Sequence, residues 1–225
     1  MRRLLPALLA LTPALAAAQA PAAAPHAADP DLQVAGGLHV PGWTAHFDHA
    51  NASPTAVNFV PMGGGYHVTG GPAAIYFDST KTASGAYTAR VSITQMKAPM
   101  HPEAYGLFVG GQHLSSDAAS YLYFLVRGDG KYLIKQRAGA TDIRTLVDWT
   151  ASPAIHSADA AGKATNAIRV QVGADSVRFF ANDQAVAALP TAKTGPLAGV
   201  AGLRVNHNLD VHIDGFSVAT GAAAR

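Results

Sequence analysis

Residues 121–137, YLYFLVRGDGKYLIKQR, are two strand-like runs on either side of Gly128-Asp129-Gly130. A run, a glycine-rich turn and a second run spell a β-hairpin. Two registers compete. A two-residue Asp129-Gly130 turn pairs Phe124 with Lys135 and Leu122 with Arg137, mixing charge into an apolar face. A three-residue Gly128-Asp129-Gly130 loop pairs Phe124 with Ile134 and Val126 with Tyr132. Leu122, Phe124, Val126, Tyr132 and Ile134 then share one face. Tyr121, Tyr123, Arg127, Lys131, Lys135 and Arg137 share the other, with Leu125 and Leu133 between them. A one-residue slip flips every side chain, so the register that segregates the faces is expected. It places Gly130 in the left-handed position of a bulged turn.

Working outward, a period of two persists almost everywhere. Strands are expected at 57–60, 66–69, 73–77, 86–94, 105–109, 121–127, 131–137, 145–149, 167–172, 176–181, 184–189, 199–206 and 211–218. Gly, Pro, Asn and Asp punctuate them. Many short strands at regular spacing predict an all-β, antiparallel two-sheet sandwich of jelly-roll type. The one helical piece is expected near 158–163, too short to separate strands as a doubly wound α/β fold requires. Residues 176–189 form a second hairpin, with Val177, Phe179 and Ala181 on one face and Asn182-Asp183 in the tight turn.

The first twenty residues read as a secretory signal peptide. Arg2 and Arg3 precede the apolar Leu4–Ala17, and Ala18-Gln19-Ala20 suits cleavage after Ala20. A periplasmic or extracellular location is the expectation, with no membrane span in the mature chain. Residues 21–36 are Ala/Pro-rich and read as a linker, 37–220 as the sandwich domain, and 221–225 as a tail. Cysteine is absent, which removes disulfides and thiolate chemistry. Sixteen Lys and Arg stand against fourteen Asp and Glu, and Arg2 and Arg3 make the whole difference. The chain beyond the leader is therefore neutral and lacks a basic run, which disfavours nucleic acid as a partner. A monomer is expected.

Four segments carry a family likeness: GLFVGG at 106–111, the 121–135 block, VRFFANDQAV at 177–186, and GLRVNHNLDVHIDGFSV at 202–218. They resemble a concanavalin A-like or laminin-G-like jelly roll. Among bacterial secreted proteins, the chain is similar to those related to the 3-keto-disaccharide hydrolase domain. The likeness runs from about Thr44 to Val218. It implies the sandwich fold strongly and a glycoside-directed activity only by association, because one fold hosts many functions.

Glycoside hydrolysis normally needs two carboxyl groups flanking the bond. The chain has a single glutamate, Glu103, and it precedes a strand. Asp210 with Asp214, or Asp142 with Asp148, are the remaining pairs. If the protein is an enzyme, Asp210, His212 and Asp214 are the first candidates for acid and base; the alternative is surface and turn carboxylates. From 203 to 214 the even positions are polar throughout: Arg204, Asn206, Asn208, Asp210, His212 and Asp214. The odd ones are apolar save His207. This reads either as a ligand-contacting rim or as a solvated face, with Asn206-His207-Asn208 turning the chain between strands.

No metal is expected. His207, Asp210 and His212, or His46, Asp48 and His49, cluster without a zinc spacing. A structural calcium stays open through aspartates and carbonyls, although no Asp-x-Asp-x-Asp loop is present. No cofactor and no nucleophile elbow are expected. The leading site is the aromatic and cationic stripe of Tyr121, Tyr123, Arg127, Lys135 and Arg137, joined by Arg204 and Asn206. Rings stack on sugar faces, and cations hold hydroxyls or carboxylates. The expected function is carbohydrate binding without catalysis. The alternatives are a glycoside-acting hydrolase and a structural or protein-interaction domain, in which the stripe covers a sheet or meets another protein.

Overall fold

A computed structural model describes residues 30–32 and 34–221. The expected signal peptide, most of the 21–36 segment and residues 222–225 lie outside the described residues. In chain order the strands are β1 (Gly37–Leu38), β2 (Trp43–Phe47), β3 (Asn58–Met62), β4 (Gly65–Thr69), β5 (Ala74–Asp78), β6 (Thr82–Ala83), β7 (Tyr87–Gln95) and β8 (Ala104–Gln112). They continue as β9 (Ser120–Arg127), β10 (Lys131–Ala138), β11 (Ile143–Ala151), β12 (Ala164–Val172), β13 (Ser176–Ala181), β14 (Gln184–Pro190), β15 (Gly199–Val205) and β16 (Asp210–Thr220).

Two sheets pack face to face. The first runs β1-β3-β4-β16-β7-β12-β13-β14 and the second β11-β10-β9-β8-β15-β5-β2, with β6 added beside β15. All pairings are antiparallel except β1 with β3. This is the all-β sandwich that the alternation predicted. Alternate residues of both sheets meet between them. Phe59, Val68, Ile93, Ile168 and Phe179 come from the first sheet, and Tyr76, Leu107, Leu122, Phe124, Val126, Ile134 and Leu203 from the second. Each such fully buried side chain contributes about 1.5–3 kcal/mol.

The 121–137 hairpin has the predicted register: Phe124 pairs with Ile134, Val126 with Tyr132, and Arg127 with Lys131. Gly130 has φ +80°, the left-handed geometry that a bulged three-residue loop requires. In the second hairpin Asn182 and Asp183 have φ of 49° and 63°. Both values are positive, as a type I′ turn demands. Asn182 is fixed by its side chain: Oδ1 accepts from Ala167 N at 2.9 Å, and Nδ2 donates to Ala154 O and Asn166 Oδ1, each at 2.8 Å. Asp183 has no such anchor among the hydrogen bonds of the turn. Asp183→Gly should therefore raise stability by about 0.5–1 kcal/mol, read as a higher denaturation midpoint.

Three strands escape the sequence reading: β1, β2 and β6. The expected helical piece at 158–163 is a turn instead. Asp159 Oδ1 accepts from Ala161 N and Lys163 N, each at 2.9 Å, and a carboxylate serving two backbone donors competes with helix. Gly162 closes it at φ +80°, with Ala98 N 2.0 Å from where a Cβ would stand. The described helices are a 3-10 turn at Pro54–Ala56 and the four-residue α-helix Thr191–Thr194. The end of the expected linker is also docked: Leu32 N donates to Asn208 Oδ1 at 2.7 Å, and Asn208 Nδ2 to Pro30 O at 3.0 Å.

Candidate functional site

The outer face of the second sheet is built from the odd residues of β9 and β10. It carries a cluster of its own: Ile75, Phe77, Phe108, Tyr121, Tyr123, Leu125 and Leu133, capped by Leu114 and Ala119 of the segment after β8. Cross-strand pairing sets the rows. Arg204 lies beside Gly106, which lies beside Leu125 and then Leu133; Phe108 lies beside Tyr123, then Lys135 and Thr145. The stripe expected from sequence thus exists as one face. Its tyrosines are not open stacking platforms, however. Tyr121 is 3% and Tyr123 8% exposed, because the 113–119 segment covers that end of the face. Their rings pack on each other at 5.6 Å, and Tyr121 on Phe108 at 5.2 Å. Burial pushes the Tyr123 hydroxyl up to about 12, with nearby Arg204 pulling the other way. These two tyrosines are buried beneath the face rather than standing out from it, and of the two only Tyr123 borders an adjoining depression.

Asp48, just past β2, organises the charges. Arg204 clamps it from two nitrogens, Nη1 donating to Oδ1 at 2.7 Å and Nη2 to Oδ2. Arg137 Nη1 donates to the same Oδ1 at 3.3 Å, and its Nε donates to Gly139 O at 3.0 Å. Arg204 and Arg137 are only 7% and 5% exposed. Burial alone would raise the Asp48 carboxyl and lower the Arg204 guanidinium. The bidentate pair outweighs it, holding Asp48 below the usual carboxylate range and Arg204 above its own. A carboxyl depressed in the folded state contributes stability that is complete above its unfolded value. That stability is lost as pH falls through the folded one. Unfolding titrations should therefore show a loss of stability only below about pH 4, and Asp48→Asn should flatten that part of the profile.

Next to these residues lies the open depression, of about 410 Å³, lined by Asp48, Glu103, Tyr123, Arg127, Lys135, Trp149, Arg204 and Asn206, with Leu125, Leu133 and Ile143 between them. Its size falls within the usual range of ligand sites. Arg127 spans it, stacked 4.2 Å from the centre of the half-buried Trp149 ring and bonded through Nε to Asp129 Oδ1 at 2.8 Å. Asn206 Nδ2 donates to Glu103 Oε2 at 3.1 Å, and His207 Nε2 lies 3.0 Å from Glu103 Oε1. Mixed donors, an indole and apolar patches suit a polyhydroxylated ligand, which has both hydroxyls and CH faces.

Of the sequence-predicted ligand residues, Tyr123, Arg127, Lys135, Arg204 and Asn206 line this depression, while Tyr121 and Arg137 lie behind it. The polar run from 203 to 214 is not one cluster. The chain turns at His207-Asn208, with Asn208 at φ 57°, and crosses from β15 in the second sheet to β16 in the first. Asp210, His212 and Asp214 consequently face outward from the other sheet. There His67 Nε2 and Lys97 Nζ lie 2.9 and 3.2 Å from Asp210, and His212 Nε2 lies 3.2 Å from Asp214. Among the described residues no three His, Asp or Glu side chains converge as a metal site would require. Asp48, considered beside His46 and His49 as a ligand, is occupied by the two guanidiniums instead. Sequence reasoning did not join Asp48, Glu103 and Trp149 to this site: it weighed Asp48 with its histidine neighbours, Glu103 as a loop carboxylate, and Trp149 as a stacking platform or, in preference, partly buried core. Asp48 had a signal, since Thr44, His46 and Asp48 continue the outward positions of β2.

No protein-family model matches the chain, and no curated protein matches it. Solved structures do. The fold is similar to that of the carbohydrate-binding module CBM66 from Bacillus subtilis, at 12% identity and TM-score 0.57 over 80% of this chain and 96% of that one. It is similar to a Bacillus subtilis protein of unknown function with a galectin-like fold, at 11% identity and TM-score 0.56 over 79% and 88%. A third is alginate lyase A1-II′, at 12% identity and TM-score 0.51 over 80% and 95%. At such identities the likeness defines the fold alone: a concanavalin A-like jelly-roll sandwich.

Proposed function

We propose that the chain is a secreted, monomeric, non-catalytic carbohydrate-binding sandwich that takes its glycan in the depression on the outer face of the second sheet. The observation that carries this reading is the depression's construction: an indole and apolar patches beside cations already held in place by Asp48, Asp129 and one another's packing. Such pre-ordering lowers the entropic cost of holding a flexible sugar. The leader-like first twenty residues support export. The fold similarity to a carbohydrate-binding module is in keeping with the reading.

Absence of catalysis is favoured by the state of the carboxylates. Asp48 and Glu103, the two that line the depression, both have their oxygens engaged by Arg204, Arg137, Asn206 and His207, whereas glycoside hydrolysis needs one carboxyl free to protonate and another free to attack or activate water. The test is a screen of the purified protein against polysaccharides and oligosaccharides, recording binding and product release together. Binding without products is expected. Product release would move attention to Asp210, His212 and Asp214 on the first sheet, and silence in both readouts would overturn the glycan reading.

A further inference from the structure

The hydrogen bonds around the depression are one-sided. Asp48 Oδ1 accepts from Arg204 and Arg137, and Oδ2 from Arg204. Glu103 faces His207 with one oxygen and accepts from Asn206 with the other. Asp129 accepts from Arg127 with both oxygens and has Lys131 Nζ at 3.4 Å. Every carboxylate oxygen at the site therefore already faces a protein cation or donor. Lys135 is different. It lines the depression, between Tyr123 and Thr145 in the cross-strand rows. Among the described residues its ammonium has no carboxylate partner and no hydrogen bond. An ammonium offers three donors and no acceptor. Among the lining residues three cations, Arg127, Lys135 and Arg204, face two carboxylates, Asp48 and Glu103.

A surface whose carboxylates already face protein cations and donors, and whose spare charged group is a cation, complements a ligand that brings negative acceptors. Resting on the glycan reading above, we propose that the saccharide bound here is acidic, with an anionic group seated against Lys135. A neutral sugar hydroxyl leaves the Lys135 charge without a countercharge. An anionic oxygen supplies one and forms the stronger, charge-assisted bond.

The experiment pairs each acidic oligosaccharide with its neutralised form: oligogalacturonate and oligoalginate with their methyl esters, and a sulfated galactan oligosaccharide with its desulfated form. Titration calorimetry should give roughly tenfold tighter binding for an acid than for its own neutral form. The gap should narrow at high salt, close in Lys135→Met and persist in Lys135→Arg. Lys135 is partly exposed and unpaired, so neither variant threatens the fold. The uronate and sulfate arms identify which anion is read. Equal affinity for acid and neutral forms, or an acid preference that survives Lys135→Met, overturns the inference and leaves the glycan reading standing. No binding to any member of either set overturns both.

Discussion

Asp48→Ala should lower the unfolding free energy by about 3–5 kcal/mol, the largest effect expected of a substitution at the site. The reason lies in what stays behind. Arg204 and Arg137 are almost fully buried, and Asp48 is the carboxylate within reach of either. Truncating it leaves two guanidiniums out of water with no countercharge, in a region whose neighbours are Tyr121, Tyr123 and Phe108. The comparison variant is Asp142→Ala, which breaks a pair of similar geometry with Arg144. That pair is solvent-exposed, screened and free to rehydrate, so no measurable change is expected. Urea denaturation of the two variants separates buried from exposed pairing within one protein. If Asp48→Ala proves as mild as Asp142→Ala, the view that Asp48 organises the charges of the site is wrong.

The second large effect concerns binding. Trp149→Ala should weaken glycan affinity at least tenfold, about 1.4 kcal/mol or more, since tryptophan in a pocket is among the residue types that dominate binding energy. The ring lines the depression and is the surface on which the Arg127 guanidinium rests. Its loss removes apolar area for the sugar and frees Arg127 to move. Trp149 sits on edge strand β11 and is only half-buried, so thermal unfolding should show a folded variant. Trp149→Phe, which keeps a ring, should recover part of the affinity. An unchanged affinity in Trp149→Ala would place the sugar elsewhere on the molecule.

The strongest local signals carried furthest from the sequence. Segregation of apolar and polar residues across Gly128-Asp129-Gly130 determined the hairpin register, because a one-residue slip would have buried Lys135 and Arg137 between the sheets. That register in turn placed Tyr123, Arg127 and Lys135 on one face. Burial on that face was not legible. The 113–119 segment, the connection from β8 to β9, carries Leu114 and Ala119 into the cluster with Tyr121 and Phe108, and alternation alone says nothing about what covers an outer face. Strand order was equally hidden. The polar even positions from Arg204 to Asp214 look like one stripe on paper, yet the His207-Asn208 turn sends β15 and β16 to different sheets. Asp48 was weighed only with its local histidine neighbours, as a cluster without a metal spacing, because its arginine partners lie far along the chain. At 158–163 a short alanine-rich stretch read as helix was taken over by Asp159, whose carboxylate serves the backbone donors.

The measurement that bears most directly on carbohydrate binding at the second sheet is a calorimetric titration of three proteins with the best glycan from the screen: the unaltered chain, Trp149→Ala and Asp214→Asn. Asp214 is half-exposed on the outer face of the first sheet, away from the depression. The prediction is binding by the unaltered chain and by Asp214→Asn, with a loss of at least tenfold in Trp149→Ala. Full affinity in Trp149→Ala together with a loss in Asp214→Asn would contradict it, and would move the ligand to the opposite face of the sandwich.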